Sequence, residues 1–448
     1  SVDQKSKIIK KFAKIGLIIL LVLISVPVLS LLFLQNRQVQ TLVSKTVADK
    51  LSEELQTTIT LSSVSYSFFK RVQVRDLYIE DQQGDTLLYS ELTRVRFRYL
   101  RPERRQVEIT RMVFENYYMN LVIDSTGGVN LTFITDRLRK PHVPPEKKNL
   151  LRIGSIEMSE GRFSLTRPTR PAKGAGVEFN DFHLRDLEIS INELTSYMDT
   201  VTIDIRSLSA TENSGFRIDQ LETLLTLGRN HMHFGDLRLK SAESDLSLPL
   251  LAFDFESWRG FRHFSKKVEM RGHFKQSLLT MSELDYFAEG AEDILDHVVL
   301  DGRVSGPLSE FRGDDLFVTF DDNSTLAFDF MMIGLPDFKN TFLDFDFREM
   351  KTSVPALTGI LHEFQDTVRP TPYPWRNLGG IDFHGQFTGY PDHFVAAGFL
   401  ATDLGKMILD LSFRPDTLGG LDFNGRLRTG DFRLGEFLEQ EEAVARLD

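Results

Sequence analysis

Two histidines and two aspartates have residue types and spacings that could do chemistry. His231 and His233 are separated by one residue in a segment that predicts a strand, so they share a face and could bind a metal ion. Asp344 and Asp346 have the same spacing and could act as paired catalytic carboxylates. The sequence fixes no further ligand beside the histidines, and the aspartates alternate with apolar residues. We therefore favour a solvated strand face for both pairs.

Two other polar groups also have structural interpretations. Asp321-Asp322-Asn323 could suggest calcium but lacks the regular oxygen spacing and terminal glutamate of an EF-hand, so it predicts a hairpin turn. Arg94, Arg96 and Arg98 could meet lipid phosphates, although we favour an outward charged face. We find no nucleophile elbow, phosphate-binding glycine loop, dinucleotide fingerprint or cysteine. We expect no enzymatic activity, no metal and no cofactor.

The elements that position these residues are strands with one apolar side. Apolar and polar residues alternate along the chain, and turn signals such as Gln83-Gly84-Asp85 and Gly419-Gly420 separate the alternating segments. The pattern predicts a mostly β protein with one long antiparallel sheet. The residues predicted to line its apolar side are Val95, Phe97, Tyr99, Leu121, Ile123, Leu187, Ile189, Ile191, Ile203, Ile205, Phe253, Phe255, Val318, Phe320, Phe328, Phe330, Phe345, Phe347, Leu411, Phe413 and Phe423.

A few short helices are also predicted, and they cannot cover an apolar side of that extent. A second sheet or a closed barrel would normally require breaks between domains over such a length. We therefore predict an elongated sheet that curls into a groove, whose apolar lining is open to a ligand such as an acyl chain. The helices are expected at residues 38–56, 132–139, 275–289, 354–366 and 432–446.

Residues 15–34, IGLIILLVLISVPVLSLLFL, carry no charge. A helix of about 20 residues spans about 30 Å, the thickness of the hydrocarbon core. The lysines before it favour a cytoplasmic amino terminus and export of the rest. A cleaved signal peptide is the alternative, but its apolar core is usually shorter, about 7–15 residues. We predict a basic cytoplasmic tail over 1–14 and a transmembrane anchor over 15–34, which includes Ile15, Leu20, Leu23, Leu29 and Leu34.

An amphipathic helix is predicted over residues 36–57, directly after the anchor. Its apolar residues fall on one helical face. The helix either lies on the membrane or plugs one end of the β structure, or it packs on a sheet, and the sequence does not decide between these. Each alternative places the apolar stripe against an apolar surface. The stripe consists of Val39, Leu42, Val43, Val47, Leu51 and Leu55.

The net charge of the chain indicates which partners it can bind. The formal net charge is −11, while the first residues are basic, so the part after the anchor is clearly acidic. Nucleic acid is therefore not an expected partner, because its phosphates need a basic surface. The chain begins at Ser1 and ends on a helical pattern, and we expect it to be a piece of a longer protein.

Several stretches resemble the amino-terminal part of the TamB proteins, which belong to the AsmA-like group of bridge-like lipid transfer proteins. The similarity spans nearly all 448 residues. The stretches that carry it are the anchor followed by Leu34-Gln35-Asn36, Val74 to Leu88, Leu300 to Gly306, Gly334 to Phe338 with Thr341-Phe342, and Phe387 to Tyr390 leading to Phe394-Val395-Ala396.

The resemblance implies an inner-membrane anchor, a periplasmic β-groove over residues 58–448, and passage of phospholipids towards the outer membrane. It also implies partnership with an outer-membrane barrel of the TamA kind, through a carboxy-terminal domain that we expect to be missing from this chain. Two other functions stay open. One is an assembly factor that holds nascent outer-membrane barrels by β-augmentation, and the other is a structural envelope tether.

Overall fold

The computed structural model describes residues 37–67, 71–101, 106–125, 128–134, 150–168, 176–197, 199–287, 295–321, 324–357, 376–415 and 421–438. The predicted tail and anchor, with Ile15, Leu20, Leu23, Leu29 and Leu34, lie outside these residues. No helix within the described ranges is long and apolar enough to cross a membrane.

Most of the described residues belong to one sheet of twenty strands. Consecutive strands are neighbours from β3 to β20, and β1 and β2 both pair with β3. The prediction of a mostly β chain with one long, mainly antiparallel sheet is confirmed. The strands are β1 (Ile59–Thr60), β2 (Ser63–Ser67), β3 (Arg71–Glu80), β4 (Thr86–Arg101), β5 (Gln106–Val122), β6 (Leu150–Thr166), β7 (Asp181–Tyr197), β8 (Thr200–Glu212), β9 (Arg217–Leu227), β10 (His231–Ser241), β11 (Asp245–Phe255), β12 (Val268–Thr280), β13 (His297–Pro307), β14 (Glu310–Phe320), β15 (Ser324–Ile333), β16 (Phe342–Ser353), β17 (Gly380–Tyr390), β18 (His393–Thr402), β19 (Gly405–Pro415) and β20 (Leu421–Gly430).

One pairing departs from the predicted antiparallel order. Strands β5 and β6 are parallel, with Val107 opposite Leu151 and Ile109 opposite Ile153. Parallel neighbours need a connection that returns to the end of the sheet where the first strand began. The chain between residues 122 and 150 makes that connection. Apolar alternation has the same period in parallel and antiparallel strands, so it could not reveal this exception.

A line of β-bulges crosses the middle of the sheet, and we call it the bulge line. Its strands have a non-glycine residue with φ between 44° and 53°. The pairing register is interrupted at most of these positions, for example between Gly235 and Arg238 and between Gly313 and Leu316. At Asp76 and Asn116 the register stays continuous. A bulge bends its strand and increases the local twist. On the bulge line, the non-glycine residues with positive φ are Asp76, Asn116, Glu160, Asp186, Asp236, Gln276 and Asp315.

Each bulge also changes which residues point to the apolar side. In most of these strands the residue after the bulge residue is buried, as Leu187 (4% exposed), Leu237 (7%) and Leu316 (4%) illustrate. One inserted residue shifts the alternation by one position. The apolar pattern therefore continues on the same side of the sheet across the bulge line.

Carboxylates on the neighbouring strand bind backbone N–H groups at the bulges. The N–H of Glu160 donates to Glu188 Oε1 (2.7 Å), and that of Gln276 donates to Asp301 Oδ1 (3.0 Å). The N–H of Asp315 donates to Asp329 Oδ1 (2.6 Å). Burial raises the pKa of Asp329, but the hydrogen bonds from Asp315 and Arg348 outweigh it and the pKa is lowered. These contacts satisfy amides that the bulges remove from the regular ladder.

The helices of the described part are short apart from the first. They are α1 (Arg37–Leu55), α2 (Phe264–Lys267), α3 (Met281–Leu284) and α4 (Leu434–Leu438), with 3₁₀ turns at Trp258–His263 and Phe338–Asn340. Residues 132–134 and 354–357 are helical, and the remainder of those two predicted helices lies outside the described residues. The helix predicted at 275–289 is wrong for residues 275–280, which complete β12 because Leu278 and Leu279 pair with β13.

Helix α1 covers the first edge of the sheet. The N–H of Val64 in β2 donates to Ser44 Oγ (2.8 Å), and the N–H of Ile59 in β1 donates to Ser52 Oγ (2.9 Å). Unpaired edge amides need such acceptors. The face of α1 against the sheet is therefore formed by small residues spaced four apart, since Ser44 and Ala48 are both buried.

Two residues of the apolar stripe predicted for this helix do not pack on the sheet, whereas a third, Leu55, is half-buried. Val47 and Leu51 are 37% and 38% exposed. The hydrogen-bonding needs of the strand edge, rather than apolar burial, decide which face of α1 turns inward. For those two residues the alternative of packing on the sheet does not hold, while contact with the membrane or with one end of the β structure stays a prediction.

Candidate functional site: the apolar face of the sheet

The pairing register places the predicted lining residues on the same side of neighbouring strands, which we call the apolar face. In β15 and β16, Phe328 is opposite Phe347 and Phe330 is opposite Phe345. Phe345 is in turn opposite Phe387 of β17. Directly opposite residues on one face have Cβ atoms about 4.5–5.5 Å apart. The register thus joins separate alternating segments into a continuous apolar surface.

Burial varies over this surface. Leu187, Ile191, Phe255, Phe320 and Phe328 are buried. The other predicted lining residues with described side chains are half-buried, namely Val95, Phe97, Leu121, Ile123, Ile189, Ile203, Ile205, Phe253, Val318, Phe330, Phe345, Phe347 and Leu411.

Three predicted lining residues have side chains outside the described part. Phe413 is paired in the backbone register with Phe394 and Phe423. The register shifts between Phe97 and Tyr99, so that Tyr99 is opposite Glu108 and Leu100 is opposite Val107. The prediction places Val95, Phe97 and Tyr99 on one side by strict alternation, and strict alternation does not allow for this shift.

The apolar face is mainly aliphatic over β5 to β8, with a few aromatic rings. One cluster is built on the buried residues Tyr117, Leu187 and Ala210, and a second on Ile153, Ile156 and Ile191. Burial, followed by the charge of Glu188, raises the pKa of Tyr117, whose hydroxyl donates to the carbonyl of Leu187 (3.4 Å). The clusters pack across the bulge line in this part of the sheet.

Further along the sheet, aromatic rings replace these aliphatic side chains. The phenylalanine segment, as we call it, spans β14 to β18. Neighbouring rings are offset or tilted, with centroids between 4.5 and 6.3 Å apart. Such arrangements are favourable for aromatic pairs. The segment consists of Phe311, Phe328, Phe330, Phe345, Phe347, Phe383, Phe387 and Phe394.

Nothing among the described strands forms a second sheet over the apolar face, because all twenty belong to one sheet. The described helices lie at an edge or at strand ends and are too short to cover it. Half-buried rings such as Phe330, Phe345 and Phe347 follow from this arrangement. An extended, incompletely covered apolar surface is the feature of this molecule that resembles a binding site.

The two histidines lie on the opposite side, the polar face, where they form a charged cluster. The His231 and His233 rings are 4.8 Å apart, His233 Nε2 is 2.8 Å from Asp254 Oδ1, and Arg271 donates to Asp254 Oδ2 (2.7 Å). Burial raises the pKa of Asp254, but hydrogen bonds from His233 and Arg271 outweigh it and the pKa is lowered. Within the described ranges, no group of three or more His, Asp or Glu could hold a metal ion.

The other polar candidates lie on the polar face or at a turn. Asp344 accepts a hydrogen bond from Thr388 Oγ1 (2.6 Å), whereas Asp346 is exposed. Asp321 begins the turn after β14, and Asp322 and Asn323 lie outside the described residues.

The predicted arginine row is on the polar face. Arg94 pairs with Glu115, and Arg98 Nη1 is 2.9 Å from Glu108 Oε1. Among the described residues Arg96 has no such carboxylate, and its neighbours in register are Arg71 and Arg111.

The bulge line is the feature that reasoning from the sequence missed. A signal for it exists: aspartate followed directly by leucine recurs at strand centres, in Asp76-Leu77, Asp186-Leu187, Asp236-Leu237 and Asp315-Leu316. Aspartate tolerates positive φ better than most residues, and the leucine continues the apolar side one position late. A slip in alternation at an Asp-Leu pair therefore indicates a bulge.

No family model, no curated protein and no solved structure matches this chain. The site is therefore defined by its own geometry: the apolar face of one long sheet that is crossed by a line of bulges.

Proposed function

We propose that this protein conducts phospholipids along its apolar face, as a membrane-anchored groove of the TamB and AsmA-like kind. The observation that carries the proposal is the run of half-buried phenylalanines on one side of a single sheet. Acyl chains fit such a lining because each methylene removed from water contributes about 0.8 kcal/mol. Polar groups that recognise one small soluble ligand are not required.

The bulge line supports the groove. Because bulges bend strands, a line of bulges at strand centres folds the sheet lengthwise and brings the two rows of strand ends towards each other. Acyl chains then lie along the fold, and the headgroups remain in water between the strand ends. Neighbouring strands are about 4.8 Å apart, so twenty of them extend this path to about 90 Å.

The part played by the protein is passive. Each lipid takes the place of the next along a continuous apolar path, so no group has to donate a proton, act as a nucleophile or hold a metal. The polar face, with ion pairs such as Arg348 to Asp329 (2.7 Å) and Arg271 to Asp254 (2.7 Å), keeps the other side of the sheet in water.

The proposed location follows from the first residues. The apolar segment 15–34 anchors the chain in the inner membrane, and α1 begins three residues after it. Val47 and Leu51, exposed on α1, suit contact with the bilayer. The groove then extends through the periplasm towards the outer membrane, where a barrel of the TamA kind is the proposed partner of the whole protein.

The test is native mass spectrometry of the chain purified from a bacterial membrane. The parent is expected to carry phospholipids, and the double variant Phe328→Asp and Phe345→Asp to lose most of them, since a carboxylate in an apolar path costs about 2.5–3.5 kcal/mol. Phe317→Asp is the matched control. Phe317 lies on the polar face between Leu316 and Val318 and is 45% exposed, so this variant is expected to keep its lipids.

Two results would contradict the conduit. If the parent chain carries no bound lipid, the remaining functions are a structural tether or an assembly factor. Crosslinking of unfolded barrel proteins to β20 would favour the assembly factor. Equal lipid content in the double variant and in Phe317→Asp would mean that the apolar face is not the path.

A further inference from the structure

Three arginines stand side by side on the polar face at the start of the sheet, and we call them the arginine triad. Arg71 of β3 is directly opposite Arg96 of β4, and Arg96 is directly opposite Arg111 of β5. All three side chains are exposed. The triad therefore forms one row across three adjacent strands, on the side away from the apolar face.

This row is unfavourable unless something neutralises it. Like charges directly opposite on one face of a sheet destabilise the pairing, because their Cβ atoms are only about 4.5–5.5 Å apart. Nearby arginines have carboxylate partners, as Arg94 has Glu115 and Arg98 has Glu108. In the described part of the chain, no carboxylate lies within ion-pair distance of any member of the triad. Among the described residues the triad is therefore unpaired, and its charge is open to a bound anion.

The triad lies near the end of α1 that follows the anchor. Ser44 in the first half of α1 contacts Val64 of β2, whereas Ser52 in the second half contacts Ile59 of β1. Ile59 is opposite Ile79 at the far end of β3, and Ser67 is opposite Arg71 at its beginning. The first half of α1 and the triad are therefore at the same end of the first strands.

We propose that the arginine triad binds the phosphate groups of anionic phospholipids at the surface of the membrane that holds the anchor. The inference rests on the proposed anchor but does not require that lipids move along the apolar face. Guanidinium groups suit this role, because their planar N–H forks bind two phosphate oxygens at once.

The dimensions fit. Strands β3 to β5 lie about 5–15 Å from the sheet edge that α1 covers, at about 4.8 Å per strand. The polar layer of a bilayer is about 5–8 Å thick on each side of the hydrocarbon core. Because helix α1, about 10 Å across, lies on the covered edge, the triad reaches this layer when the polar face of β3 to β5 is tilted towards the bilayer. Phosphate binding there fixes how the sheet stands on the bilayer and presents the start of the apolar face to it.

The test is titration of the full chain in neutral detergent with phosphatidylglycerol, read by native mass spectrometry. With the apolar face already filled by the lipids that copurify, we expect the triple variant Arg71→Glu, Arg96→Glu and Arg111→Glu to bind the added phosphatidylglycerol about a hundredfold more weakly, at about fivefold for each arginine. Phosphatidylcholine has no net charge, so we expect the parent and the triple variant to bind it about equally.

The matched control is the triple variant Arg206→Glu, Arg238→Glu and Arg312→Glu. These arginines are exposed on β8, β10 and β14, and the net charge changes by the same amount. The control is expected to bind phosphatidylglycerol as the parent does. Equal loss in both variants would show a nonspecific charge effect, and no loss in the triad variant would equally overturn the proposal.

A single conservative variant tests whether weaker lipid binding comes from misfolding. Arg96→Gln removes the central charge, so we expect its thermal stability without lipid to equal or exceed that of the parent, while stabilisation by phosphatidylglycerol falls. Lower stability without lipid would show that the triad supports the fold instead. The triad variant is expected to keep lipids on the apolar face. The double variant Phe328→Asp and Phe345→Asp is expected to lose those lipids and to keep phosphate binding at the triad. Each proposal can therefore be disproved without affecting the other.

Discussion

At the scale of single residues, the backbone conformation at a bulge decides which neighbouring side chain is buried. Asp236 has φ of 47°, is exposed, and is followed by buried Leu237. Left-handed backbone costs an ordinary residue about 1–2 kcal/mol, but aspartate, asparagine and glycine tolerate it. The residue type at the bulge is therefore set by φ, and the inward position of Leu237 depends on it.

Replacing Asp236 by valine tests this account. We expect Asp236→Val to lower the free energy of unfolding by about 1–2 kcal/mol, because a β-branched residue is strained at this φ. Asp236→Asn and Asp236→Gly are expected to stay within about 0.5 kcal/mol of the parent. Urea unfolding of the full chain in detergent measures the difference.

Asp245→Val is the control for the change in polarity, since Asp245 is an exposed strand residue outside the positive-φ set. If Asp236→Val and Asp245→Val destabilise equally, the cost comes from the exposed valine, and the explanation through φ fails.

At the scale of elements, helix α1 shows how a strand edge selects the helix face that packs on it. An apolar stripe would ordinarily pack inward. Here the edge amides of β1 and β2 need acceptors, and Ser44 and Ser52 provide them eight residues apart, on the same face of the helix. Satisfying these backbone donors outweighs burying Val47 and Leu51, which stay available for another surface.

Removing one acceptor is expected to loosen the edge. Ser44→Ala leaves the N–H of Val64 without its partner, at a cost of about 1–3 kcal/mol for a buried donor. We expect faster hydrogen–deuterium exchange in the peptide that contains β2, whereas β10 should be unaffected. Lys45→Ala, an exposed neighbour on α1, is the control and should leave exchange in β2 unchanged. Unchanged exchange in Ser44→Ala would show that water replaces the serine.

At the scale of the whole molecule, the aliphatic and phenylalanine parts of the apolar face belong to the same sheet. If both form a single path, a barrier in either part should stop transfer along all of it. If they are separate sites, each barrier should remove only its own lipids. The two arrangements differ in how the effects of two barriers combine.

Lipid transfer from vesicles that hold the anchored chain distinguishes them. We expect Ile203→Asp on β8 and Phe345→Asp on β16 each to slow transfer about a hundredfold, and the double variant to be scarcely slower than either. Leu224→Asp and Phe317→Asp, on the exposed polar face nearby, are the controls and should transfer normally. Single variants that keep most of the transfer, with a large loss only in the double variant, would indicate separate sites instead of one path.

Much of the fold could be predicted from particular residues. Phe328, Phe330, Phe345 and Phe347 alternate with polar residues, and this is enough to place them together on one side of a sheet. The parallel pairing of β5 and β6 could not be predicted in this way, because it depends on where the chain returns after residue 122. The continuation of β12 to Thr280 was also missed, because short apolar runs have no clear period.

The sequence by itself determined the alternation of polar and apolar residues, and hence the existence of one sheet with an apolar side. Only the tertiary structure decided how the strands are aligned. The bulge line, the arginine triad and the serine contacts of α1 depend on which residues become neighbours across strands. A period of two residues is a local property of the chain, whereas register is set by pairing and hydrogen bonding between distant segments.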